Sequence, residues 1–178
     1  MRILFSIIFL MSLFGCQQQR VHPSVLSNIQ LEKLPSQESW NSKVTFTDSG
    51  KTKAVLYAGH IRVYYDTQET LLDTSVKVDF YDENQVKSST LTSLRGRVDD
   101  ATQNLWARDS VRVVNDSGVT ITTSEMMWRN KDRRIVSDKF VTILSPKEKI
   151  QGYGFDSDQS LRFYTIHNIT YISRRDTL

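Results

Sequence analysis

From Lys43 onward, apolar and polar residues alternate one by one, and this period of two constrains the chain more than any other feature. Ile61, Val63 and Tyr65 alternate with Arg62 and Tyr64, while Val76, Val78 and Phe80 alternate with Lys77, Asp79 and Tyr81. Val111 and Val113 flank Arg112, and Val141 and Ile143 flank Thr142. Successive side chains of an extended strand point to opposite faces, so each run makes a strand with one apolar and one wet face. Most of these residues are β-branched or aromatic, the types that fit a pleated surface. Turn-forming clusters punctuate the runs at Asp48-Ser49-Gly50, Asp82-Glu83-Asn84, Asp99-Asp100, Asn115-Asp116-Ser117-Gly118, Asn130-Lys131-Asp132, Ser145-Pro146-Lys147 and Asp156-Ser157-Asp158. No stretch after residue 40 repeats at 3.6, so the expectation is an all-β fold of many short antiparallel strands.

The strands also echo one another. Asp73-Thr74-Ser75-Val76-Lys77-Val78, Arg108-Asp109-Ser110-Val111-Arg112-Val113 and Ser137-Asp138-Lys139-Phe140-Val141-Thr142-Ile143 repeat a polar stretch followed by an alternating one. Stacked, similar β units would bury together the apolar faces that none can cover alone. The inward set is then Ile61, Val63, Val76, Val78, Phe80, Val111, Val113, Ile121, Val141, Ile143 and Phe155. Such residues usually serve only as core. In an incompletely closed stack they would instead receive a lipid chain, each buried methylene contributing about 0.8 kcal/mol.

The N-terminus carries a different signal. Met1-Arg2 leads into an apolar run from Ile3 to Gly15, of signal-peptide length and shorter than the roughly 20 residues a membrane span needs. It ends in Leu13-Phe14-Gly15-Cys16, a small residue followed by cysteine, as lipoprotein processing requires; Phe14 is bulkier than usual at its position. We expect a signal peptide at 1–15, a lipidated Cys16 with a polar tether over 16–40, and one β domain over 41–178. Cys16 is the only cysteine of the 178 residues, so no disulfide can hold the exported fold. The net charge is +3 with a pI of about 9.0 and the two signs are interspersed. That mild excess suits an anionic membrane surface or ligand and lacks the basic stripe of a nucleic-acid binder.

Catalytic chemistry is missing. His22, His60 and His167 are far apart, without carboxylate or cysteine at metal-ligand spacing, so no metal or cofactor is expected. Gly152-Tyr153-Gly154 is a lone G-x-G without a following helix, which reads as a bend or a close approach of two backbones. Asp156 and Asp158 read as a solvated turn rather than a calcium site. A carbohydrate-active enzyme would need two carboxylates facing one cleft, and no spacing suggests them. A structural or adhesive envelope lipoprotein with a closed β core is the alternative to a lipid carrier.

The second half of the chain resembles a known family. Leu105-Trp106-Ala107-Arg108-Asp109-Ser110-Val111-Arg112-Val113, then Ser117 through Trp128, then Arg134 through Ile143, then Ile150-Gln151-Gly152-Tyr153-Gly154-Phe155-Asp156 together resemble LptC, the periplasmic component of lipopolysaccharide export, related to the OstA/LptA bridge proteins. The match runs over roughly residues 40 to 170 and rests on the order and spacing of motifs, none specific alone. The resemblance implies an open, twisted β-jellyroll with an apolar groove for acyl chains, held at the periplasmic face of the inner membrane. It implies lipopolysaccharide received from the LptB, LptF and LptG transporter and passed to an LptA-like bridge protein, with edge strands near 43–58 and 161–173 pairing these partners. Well-studied relatives keep a transmembrane helix where this chain has Gly15-Cys16, so the expected variant is lipid-anchored; Gln17 follows the cysteine, where sorting rules vary.

Overall fold

The structure, a computed structural model, describes residues 34–174. Cys16, the signal peptide and most of the tether lie outside them. The described chain is one antiparallel sheet of ten strands, as the alternation requires: β1 (Gln37–Asp48), β2 (Lys51–Tyr64), β3 (Glu69–Tyr81), β4 (Lys87–Ser93), β5 (Arg95–Asp99), β6 (Asn104–Asn115), β7 (Thr120–Arg129), β8 (Arg134–Leu144), β9 (Glu148–Asp158) and β10 (Tyr164–Arg174). Strands follow one another in space along β1-β2-β3-β4-β6-β7-β8-β9-β10, with β5 also between β3 and β6. β4 and β5 thus share one lane of the sheet, interrupted at Leu94.

A single crease crosses this sheet. The register shifts between Ala58 and His60, between Arg108 and Val111, between Thr123 and Met127, and between Ser137 and Phe140. Backbones take the left-handed region at Asn41, Thr74, Ser75, Asp109, Ser110 and Gly154 along the same line. Bulges bend a strand and raise its twist, so bulges at one level in successive strands fold the whole sheet. The repeated polar stretches Thr74-Ser75, Asp109-Ser110 and Asp138-Lys139 fall on this line, which accounts for the echo: each marks where a strand turns a corner. The two halves of the sheet close on each other with apolar side chains between them. Phe80 from one half meets Trp128 from the other with ring centres 5.6 Å apart, and Phe46 reaches the same indole at 6.0 Å.

Two glycines let the crease close. A Cβ on Gly59 would stand 2.1 Å from the carbonyl oxygen of Thr74, and one on Gly152 would stand 2.3 Å from that of Asn168. Both obstacles are backbone, so neither can swing aside. Gly154 takes φ +74 against the ring of His167.

Three boundaries differ from the expectations. Gln37–Trp40, assigned to the tether, are strand, because β1 continues its ladder along β2 with Trp40 opposite His60 and the two rings stacked 5.2 Å apart. Asp156-Ser157-Asp158 ends β9 instead of turning: Asp156 pairs with Arg134, Ser157 is fully buried, and Asp158 Oδ1 accepts the Arg162 and Phe163 N–H groups of the loop that follows. The N-terminal edge is β1 alone, since β2 is paired on both sides; β10 is the other edge.

One buried charge sits on the outer face of β3. Burial alone would raise the Asp79 carboxyl, but the Thr90 hydroxyl donates to it at 2.7 Å, Lys77 lies 3.0 Å away and Lys87 3.8 Å, and together they hold it below the usual carboxylate range. A depressed pKa stabilises the fold fully above the unfolded value near 4 and loses that contribution as pH falls through the folded one. Asp79→Asn should therefore cost about 1–3 kcal/mol at pH 7 and less as pH drops below about 4, in urea unfolding monitored across pH. Gly59→Ala should cost about 1–3 kcal/mol or more in the same measurement, because overpacking against backbone cannot relax.

Candidate functional site

The interior between the two sheet halves is the one place where the expected site residues assemble. Ile61 on β2, Val76, Val78 and Phe80 on β3, Val111 and Val113 on β6, Ile121 on β7, Val141 and Ile143 on β8 and Phe155 on β9 are all buried in one apolar cluster, and Val63 is half-buried against it. They share an inner face because each sits at an even spacing from its neighbours along a strand, with the ladders in register; Val113 lies opposite Ile121, which lies opposite Ile143. Their outward neighbours, Arg112, Thr122 and Thr142, form the corresponding row on the other face.

Other members of the cluster escaped the sequence reading. Leu72, Leu91, Leu105, Ala107, Met126, Trp128, Ile135 and Leu161 are buried with the rest. Leu91 hides in Ser88-Ser89-Thr90-Leu91-Thr92-Ser93, where a lone apolar residue carries no visible period. Met126 and Trp128 do alternate with Met127 and Arg129, a signal that was available. Leu161 is in a loop at φ 55, a placement no periodicity predicts.

Side chains fill much of this interior, and its two ends differ. At the β1 end it is entered by an apolar cleft of about 360 Å³ walled by Val44, Phe46, Leu56, Ile61, Val63 and Val98. At the β10 end the loop after β9 is fastened across: Ser89 Oγ donates to the Gln159 carbonyl at 2.6 Å, Asn115 Nδ2 donates to that of Ser160 at 2.9 Å, and Leu161 fills the gap.

The mouth, where strand tips from the two halves meet, is held by charge. Arg133, in the turn between β7 and β8, pairs with Asp48 at the tip of β1 and lies 3.0 Å from Glu83 beyond β3. Glu83 also takes Lys53 Nζ at 2.8 Å, and the Lys53 ammonium, with Lys51 and Arg133, holds its carboxyl below the ordinary range. Asp48 and Glu83 are solvent-exposed and Arg133 is half-buried, and ion pairs so open to water contribute little to stability. Toward β1 the mouth is therefore tied by contacts that come apart easily, over an interior held by burial.

Among the described residues no cluster of three His, Cys, Asp or Glu side chains could hold a metal. His60 lies 3.1 Å from Glu38 beneath Trp40, and His167 packs on Gly154. The outermost strands, β1 and β10, run 12 and 11 residues along the two sides of the sheet, each with one neighbour only among the described residues.

Trp128 joins the two halves and should govern their closure. Trp128→Ala is expected to cost about 3–5 kcal/mol in chemical denaturation, the range for removing a large buried ring, while Trp106→Ala on the outer face should cost much less.

A family model described as "LptC: Lipopolysaccharide-assembly, LptC-related" matches residues 4–170, from the apolar N-terminal run through most of β10. No curated protein matches the chain.

Proposed function

Because the chain belongs to the LptC family and so serves lipopolysaccharide transport on the periplasmic side of the envelope, we propose that it carries the acyl chains of lipopolysaccharide between the halves of its sheet and performs no catalysis. It accepts the lipid from the inner-membrane transporter of LptB, LptF and LptG and passes it to an LptA-like bridge protein. The observation that carries this reading is one apolar inner face, continuous from Ile61 to Phe155, in a sheet whose two outer strands have no partner on their far sides among the described residues. Unpaired backbone groups are templates for another strand, so β1 and β10 are the natural seats of the two partners. Transport work comes from the transporter's ATP hydrolysis, and this protein contributes an apolar path. Acylation at Cys16 keeps that path beside the periplasmic face of the inner membrane, replacing the transmembrane helix of better-known relatives.

A second reading, a structural envelope lipoprotein with a closed core, draws on how completely most inward side chains are covered: Val78, Val113, Ile121 and Ile143 expose no surface. A carrier with this interior must part its halves to load, and the weakly tied mouth is where that costs least. A photo-crosslinking residue in place of Val113 or Ile143 should trap lipopolysaccharide in cells, and one in place of Arg112 or Thr142 should not. Equal trapping from both faces, or trapping from the outer pair alone, would sink the carrier reading. Pull-down with detergent-solubilised inner-membrane complexes should recover LptF and LptG; recovery of outer-membrane partners alone would count against the placement.

A further inference from the structure

We infer that the mouth carries an anion site, formed by Lys53, Lys131 and Arg133, for a phosphate group of the amphiphile whose hydrocarbon enters the neighbouring cleft. This rests on the carrier reading and assigns the part of the ligand that reading leaves without a partner. Lys53 is the starting point. By strict alternation a lysine next to inward Ala54 belongs on the wet face, yet it is only 6% exposed. The β1–β2 register explains it: Phe46 lies opposite Ala54 and Thr47 opposite Thr52, so Lys53 is the extra residue of a bulge. Bulges re-aim side chains, and this one turns an ammonium into the mouth, 2.8 Å from Glu83. A buried charge is costly unless paired, so a lysine here needs an anion beside it.

The surroundings fit an anion with a hydrocarbon tail. A cleft of about 400 Å³ is walled by Lys53, Lys131 and Arg133 with Asp48 as the one carboxylate, over the rings of Phe46 and Trp128. With Glu83, which pairs with Lys53 and Arg133 from beside the cleft, three cations face two carboxylates and leave an excess of one positive charge, which favours an arriving anion. Phe46 and Gln103 also line the apolar cleft at the β1 end, so the charged and apolar spaces adjoin. The buried indole Nε1 of Trp128 has no acceptor among the described residues, and a lipid ester carbonyl at this junction would supply one. Arg133, at φ 56 in its turn, presents a planar fork that pairs with two phosphate oxygens at once. In the present state Asp48 and Glu83 occupy that fork. An arriving phosphate exchanges with them, and the exchange unties the β7–β8 turn from the tips of β1 and β3. Loading and opening of the mouth are then one event.

The test uses the full chain in detergent with two probes: a diphosphorylated glucosamine-based lipid A and the same lipid with both phosphates removed. The wild type should bind the phosphorylated probe at least tenfold more tightly, and Arg133→Gln should erase the preference while still binding the bare lipid. Lys131→Gln, at an exposed position that no packing depends on, should weaken it severalfold, and Glu83→Gln should strengthen phosphorylated binding by freeing Arg133. Equal affinity of the wild type for the two probes, or a preference that survives Arg133→Gln, overturns the anion site and leaves the carrier reading intact. Failure of both probes to bind overturns the carrier reading, and the site with it.

Discussion

Everything in this fold depends on nine lanes of strand bending at one level. A flat sheet of this width would leave one apolar face in water; a sheet creased across its middle covers that face with itself. The crease exacts close contacts that only particular residues permit, most tightly where Gly59 meets the Thr74 carbonyl and Gly152 meets that of Asn168. It also forces Thr74, a β-branched residue, to φ 56, a conformation such residues seldom adopt. Burial of Phe80, Trp128, Phe155 and their neighbours offsets those costs, because the rings touch only if the halves close.

The same arrangement ranks the parts of the molecule by how firmly they are held. The crease is fixed by backbone contact and the interior by apolar burial. The mouth is fixed by exposed ion pairs and a buried lysine, which respond to salt and to competing anions as the interior does not. The β10 end is closed by hydrogen bonds from Ser89 and Asn115 to a loop, whereas the β1 end is left as a cleft. A ligand that parts the halves therefore meets least resistance along the mouth from the β1 side.

Much of this was legible in the sequence, and the reasons for the rest are specific. Alternation located the strands and their apolar faces because the side-chain period of a strand is two whatever its partners. The echo of Asp73, Arg108 and Ser137 was visible, but its meaning was not: a polar stretch that bulges looks like one that begins a strand. Asp156-Ser157-Asp158 has turn composition and yet pairs with Arg134 within a ladder, a partnership 22 residues away that composition cannot encode. Lys53 was invisible as a mouth residue, since its inward aim follows from a one-residue mismatch between β1 and β2. Arg133 joins Asp48 across 85 residues, a contact only the crease creates.

The two bare edges have a further consequence. β1 and β10 are unlike surfaces on opposite sides of one sheet, so a partner strand added to either one extends the sheet without completing it. Pairing of the β1 edge of one member with a β10-like edge of the next is heterologous and has no closure of its own. If the added partner carries the same kind of creased sheet, the inner faces line up end to end and a bare edge is passed on to the next member. The length of an assembly built in that way would be set by which partner supplies an edge that accepts no further strand.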